Sequence, residues 1–196
     1  MSTKNLDTRT KILQASFQLL VERQGSGVRM GDIAKHVGIS RQAVYLHFTN
    51  RTDLLVATTK YIDETLQIDK RLAPSRQARS GTERLDRYIE AWGNYIPEIY
   101  GVAKAFMAAQ DSDEAAASAW KDRMHAMRDG CVSAIESLLA DGELTTELKP
   151  DEAIDLLWTM LSVRNWENLT IECKWSNKKY VEQMKLQAKR SFVKNH

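Results

Sequence analysis

Six residues between positions 41 and 51 carry the most directed chemistry in this chain. Arg41 can fork onto the edge of a guanine, Gln42 can pair with an adenine, and Ala43 can touch a thymine methyl. Tyr45, His47 and Arg51 carry donors suited to phosphate oxygens, contacts that orient a protein on a duplex without reading its sequence. Ser40, just ahead of them, can cap a helix. That leaves Arg41, Gln42 and Ala43 in its first turn, where a recognition helix meets base edges. Other readings stay open: Tyr45 can also be a partly buried core aromatic, and Lys35 and His36 read as solvated surface.

The elements that must hold these groups are legible in the stretch IAKHVGISRQAVYLHFTNRTDL, residues 33–54. Ala34, Gly38 and Val44 keep the spacing A-x3-G-x5-hydrophobic expected of a helix-turn-helix. Ala34 is small where the second helix crosses close over the first. Gly38 supplies the positive φ of a tight turn, which a Cβ would penalise. Ile33, Val37, Ile39, Val44 and Phe48 make the small core that sets the crossing. A preceding apolar helix containing Ile12, Leu13, Phe17, Leu19 and Leu20 is expected to start at Asp7 and to stop at Gly25-Ser26-Gly27.

These residues resemble the tetracycline-repressor (TetR) family of bacterial regulators. Its members follow an N-terminal helix with a pattern close to I-A-x-x-x-G-V-S-x-x-x-[hydrophobic]-Y-x-x-F-x-x-K-x-x-L. Ile33, Ala34, Gly38, Ile39, Ser40, Val44, Tyr45, Phe48 and Leu54 match it, with Arg51 where Lys is usual. The resemblance covers about residues 8–60; beyond them only length and helix count agree. It implies backbone contacts for Tyr45, His47 and Arg51. The Thr that often caps the first helix of the motif is replaced near Val28-Arg29, where Arg29 can supply a phosphate contact.

The rest of the chain reads as helix throughout, so the expected fold is all-α, with about nine helices and no sheet. Asn50 and Asp53 predict the start of a long fourth helix over 51–71. The polar run RLAPSRQARSGT is the expected boundary after it. Ser80 with Glu83 opens a further helix that Pro97 should end or kink. A short segment, Ile99–Ala109, leads to Asp111-Ser112-Asp113-Glu114. The face Trp120, Met124, Met127, Cys131, Ile135, Leu138 then marks a long helix ending at Asp141-Gly142. Pro150-Asp151-Glu152 and Ser176 start the last two helices. The domains expected are a helix-turn-helix head, 1–50, joined by the fourth helix to a body, 72–196.

Charge follows the same division. Residues 1–60 hold 9 Lys and Arg against 4 Asp and Glu; residues 61–173 hold 12 against 21; residues 174–196 hold 7 against 1. A basic head on an acidic body suits a head that meets a polyanion, although such asymmetry also arises on ordinary solvated faces.

A head this small grips too little DNA for high specificity, whereas two heads about 34 Å apart bind a palindrome far better. A homodimer is therefore expected, through the two C-terminal helices at about 151–172 and 177–194. The segment LLWTMLSV (156–163) is apolar nearly all round and must be covered on both sides. A wholly intramolecular core is the alternative. The family pairs through a four-helix bundle of its two C-terminal helices. It also holds a small-molecule cavity in the body, whose filling releases DNA, so the resemblance implies a ligand-responsive regulator, most often a repressor. Tyr61, Trp92, Trp120, Met124 and Trp158 are the candidate ligand-binding residues, because rigid aromatics and an adaptable methionine suit a bulky apolar effector. Aromatics at helical spacing also serve as plain core.

Other classes find less support. The four histidines, His36, His47, His125 and His196, form no HExxH or i, i+4 pair. The single D-x-x-H, Asp122 with His125, lacks the second pair a di-metal bundle needs. No catalytic residues, metal or cofactor are expected. A helical enzyme and a protein-interaction module without DNA binding remain the alternatives. Two cysteines without CxxC spacing, no signal-peptide-like start and no apolar run near 20 residues point to a soluble cytoplasmic protein with no membrane partner.

Overall fold

Asp7 opens the described structure by accepting the Thr10 N–H at 2.8 Å, which caps the first helix as its sequence predicts. The computed structural model describes residues 7–24 and 28–194, so the expected stop at Gly25-Ser26-Gly27 lies outside the described residues. Among the described residues ten α-helices follow one another: α1 (Thr8–Glu22), α2 (Met30–Val37), α3 (Arg41–His47), α4 (Arg51–Thr65), α5 (Ile68–Arg76), α6 (Gly81–Ala109), α7 (Glu114–Ala140), α8 (Pro150–Met160), α9 (Val163–Glu167) and α10 (Asn177–Phe192). A π-helical turn, Asn168–Glu172, follows α9. The fold is all-α; among the described residues the one β-type pairing is an isolated bridge between Leu144 and Val193.

Four local expectations change. The fourth helix stops at Thr65, not residue 71, because Gln67 takes a positive φ of 52°. The polar run that follows is partly helical: α5 carries Pro74 inside it, with Ser75 buried and bonded to the Arg84 carbonyl at 3.1 Å. Arg71 forks onto Glu98 at 2.6 and 2.9 Å and anchors the same helix. Pro97 does not end its helix, since α6 runs through it. Proline removes a single N–H donor, while buried Tyr95, Ile96 and Tyr100 hold the backbone on both sides. Finally, the expected helix at 151–172 breaks after Met160, where Ser162 caps α9 by accepting the Asn165 N–H at 3.2 Å. These changes turn about nine expected helices into ten and a π turn.

The contacts divide the chain into two units. One comprises residues 1–67 and 99–121, the other residues 68–98 and 122–196. In the first, Ile12, Leu20, Ile33, Val44, Leu54, Leu55 and Phe106 are buried in one core. Its helices come close: a Cβ on Gly101 would lie 2.1 Å from the Leu20 carbonyl oxygen. Within that core the Thr58 hydroxyl donates to the Leu54 carbonyl at 2.7 Å and accepts from the Ser16 hydroxyl at 3.0 Å, so two buried hydroxyls are paired.

The second unit buries Leu85, Ile89, Tyr95, Ile135, Leu138, Leu157, Leu161 and Phe192. The Tyr88 hydroxyl donates to the Met127 carbonyl at 2.6 Å. Cys131 is buried and Cys173 exposed, both as free thiols. Burial pushes the Cys131 thiol up to about 12, which leaves it an inert core group. Lys185 pairs with Glu90 at 2.9 Å and Lys189 with Asp86 at 2.5 Å, tying α10 to α6. Among the described residues, no helix is long and apolar enough to cross a membrane.

Candidate nucleic-acid interface

Helix α2 begins without the side-chain acceptor that usually occupies its first position. Arg29 stands there in extended backbone, and an arginine side chain cannot accept a hydrogen bond. Asp32 compensates from inside the helix, its carboxylate accepting the Arg29 N–H at 3.0 Å. That bond holds the Asp32 carboxyl below the usual range, helped by Arg23 at 3.1 Å. The helix ends at Gly38 with φ 79°, whose N–H returns to the Ala34 carbonyl at 3.0 Å. Nothing lies within 4 Å of where a Gly38 Cβ would stand, so the turn needs glycine for its φ and not for room.

Ser40 then accepts the Ala43 N–H at 3.1 Å and starts α3 as its sequence predicts. Val44 and Phe48 are buried and clamp α3 from beneath, while Ala34 is buried in α2. The opposite side is left to solvent. Arg29, Ser40, Arg41, Gln42, Tyr45, His47 and Arg51 are all exposed, and Ala43 is half-buried. The structure thus presents Arg41, Gln42, Tyr45 and His47 on one short helix.

Four features of this surface were not legible in the spacing. Arg41 donates to the Tyr45 hydroxyl at 3.1 Å and lies 5.5 Å from the centre of its ring. Arg51 donates from Nε to the Val28 carbonyl at 3.1 Å, so one of its donors is already committed to holding the start of α4 beside the start of α2. Next to it, the Thr52 hydroxyl donates to Asp113, which also accepts the Ala116 N–H at 3.0 Å. Those two bonds, Thr52 first, hold the Asp113 carboxyl below its ordinary value. Leu46 is the other surprise: it is 86% exposed among these polar groups, and nothing in the sequence pattern had singled it out.

Residues 12–58 match the model of the tetR family of bacterial regulatory proteins. Over 175 residues the chain is 22% identical to the HTH-type transcriptional regulator CymR of Pseudomonas putida, a match covering 89% of this chain and 83% of that protein. Residues 12–58 thus form a helix-turn-helix region of the tetR type. The fold agrees along most of the chain. A transcriptional regulator from Saccharomonospora viridis, solved in complex with choline, superposes with a TM-score of 0.81 at 18% identity, covering 95% of this chain and 98% of that one. A TetR transcription regulator from Haloarcula marismortui superposes with a TM-score of 0.74 at 16% identity, with the same coverage. The nucleoid occlusion factor SlmA of Marinomonas sp. is 38% identical over 66 residues, a match that spans about a third of either protein (34% of each).

The five residues singled out for ligand binding have different surroundings. Tyr61 and Trp120 belong to the first unit; Trp92, Met124 and Trp158 belong to the second. Tyr61 lines an open groove of about 550 Å³ with Arg9, His47, Phe48 and Lys60, and Trp120 stacks on Phe106 with ring centres 6.4 Å apart. Trp92 is buried, and its Nε1 donates to the Leu161 carbonyl at 2.8 Å, a structural bond. Met124 and Trp158 are half-buried. The Trp158 Nε1 is itself buried and has no hydrogen-bond partner among the described residues, as has the Tyr180 hydroxyl. Among the described residues no group of three or more His, Cys, Asp or Glu could hold a metal ion.

Proposed function

We propose that this chain is a ligand-responsive regulator that binds a palindromic operator as a homodimer and acts as a repressor. The observation that carries the DNA side of this reading is the outward face of α3. Buried Val44 and Phe48 fix the helix, and Arg41, Gln42, Tyr45 and His47 project from it unburied. In this reading Arg41 and Gln42 meet base edges, with Ala43 beside them. Ser40 orders the helix start, and Arg29, Tyr45, His47 and Arg51 hold phosphates. Residues 1–50 act as the DNA-binding head and 72–196 as the ligand-binding and dimerisation body, with α4 leading from one to the other.

Two helices support the dimer. Leu156 on α8 is 51% exposed and Leu186 on α10 is 39% exposed in the single chain, and a twin subunit would cover such positions. The effector side rests on the aromatic residues Tyr61, Trp92, Trp120 and Trp158 with Met124, on the unpartnered Trp158 donor, and on likeness in fold to a regulator solved with choline. An effector acts only by binding the non-operator conformation better than the operator-bound one, and a near-complete switch takes about 5.5 kcal/mol of that difference.

Selection of bound fragments from random duplex DNA tests the reading directly. An inverted repeat with half-site centres about 10 base pairs apart, or a multiple of that, is the expected product. Its affinity should fall steeply with added salt as counterions are released. Recovery of no common sequence, or of a single half-site bound by a monomer, would overturn it.

A further inference from the structure

We propose that Leu46 reads sequence, packing its side chain against the C5 methyl of a thymine in the major groove. The inference rests on the DNA-binding role of α3 and adds to it a residue and a base. A lone exposed leucine is ordinary on a protein surface. Leu46 differs by its setting. It is 86% exposed on a seven-residue helix whose inward face is already filled by Val44, and its neighbours Arg41, Gln42, Tyr45 and His47 are exposed polar groups.

Residues four apart share a helix face. Arg41 and Tyr45 form one such ridge and are bonded to each other. Gln42 and Leu46 form the next ridge, with Ala43 three residues before Leu46. The major-groove edge of duplex DNA offers donors, acceptors and one apolar group, the thymine methyl. Ala43 is the other apolar side chain near this face, but it is half-buried and a single carbon long. Leu46 projects further and is the group that can reach a methyl from a ridge whose other member, Gln42, suits adenine.

Replacing thymine by uracil removes that methyl and leaves every hydrogen-bonding group in place. With an operator obtained by selection, each thymine of a half-site is replaced by uracil in turn, and binding is measured for the wild type, Leu46→Ala, Leu46→Met and Ala43→Gly. One position is expected at which loss of the methyl weakens the wild type roughly four-fold, the effect of one buried carbon. The same replacement should leave Leu46→Ala unaffected, while Leu46→Met keeps the sensitivity. Thermal unfolding of Leu46→Ala should match the wild type, since the residue is 86% exposed in the free protein. The proposal is overturned if no thymine shows the effect, if the effect persists in Leu46→Ala, or if Ala43→Gly abolishes it instead. Failure to select any duplex overturns the DNA reading and this inference together, whereas an operator bound equally well with uracil overturns this inference alone.

Discussion

Arg41 and Tyr45, one helical turn apart on α3, are joined twice: a 3.1 Å hydrogen bond links guanidinium to hydroxyl, and the guanidinium lies 5.5 Å from the ring centre. A side chain proposed to read a base is therefore parked, in the free protein, on a side chain proposed to grip the backbone. Both groups are exposed, so the hydrogen bond contributes little to stability and exchanges readily for a nucleic-acid partner. Arg41→Ala should cost about 1–3 kcal/mol against the selected operator and relax preference at one base pair. Tyr45→Phe should instead weaken binding to all sequences alike. Affinities for single-base-pair operator variants distinguish the two, and a uniform loss in Arg41→Ala would remove it from the base-reading set.

Arg51 combines two tasks. Its Nε holds the Val28 carbonyl, while the residue as a whole is exposed. Arg51→Met should reduce the slope of log affinity against log salt by about 1, as one phosphate contact is lost. Arg51→Lys should restore most of that slope without restoring the Val28 bond. Salt titrations of both variants read the charge, and thermal unfolding reads the bond.

Thr52 and Asp113 give the fold a dependence on acid. The folded Asp113 carboxyl sits below its ordinary value of 3.8, so its contribution is fully present above that value and is lost as pH falls through the folded value. Asp113→Asn should therefore lower the melting temperature near neutrality and flatten its fall between about pH 5 and pH 2. Thr52→Val should do the same more weakly, because the Ala116 N–H bond remains. Melting curves across that range check both.

Gly101 is a packing constraint. A methyl there would stand 2.1 Å from the backbone carbonyl oxygen of Leu20, and backbone cannot swing aside as a flexible side chain can. Gly101→Ala should destabilise the chain by about 1–3 kcal/mol or more, measured by urea unfolding.

Trp92 tests the reading of the body aromatics. Because its Nε1 bonds the Leu161 carbonyl in a buried setting, Trp92→Phe should cost about 1–3 kcal/mol in stability by leaving that carbonyl unpaired. Trp158→Phe removes a donor that has no partner among the described residues and should be close to neutral in the ligand-free protein. Urea unfolding of the pair separates a structural tryptophan from one available to a ligand.

Much of this molecule was determined by signals within a few residues of where they act. The Asp7, Ser40, Asn50 and Ser176 caps, the left-handed Gly38 and the buried Val44 were all legible, because a cap satisfies N–H groups in its own first turn and a turn needs its φ at one residue. Other features depended on partners far along the chain. Pro97 continues a helix because its flanks are buried, the apolar run at 156–163 breaks at Ser162, and Asp113 caps α7 while holding Thr52, 61 residues away. Arg41 on Tyr45 and the outward Leu46 were decided by which face of α3 the core consumed. Local backbone bonds can be read from neighbours, whereas side-chain direction follows from packing against residues that only the folded chain brings near.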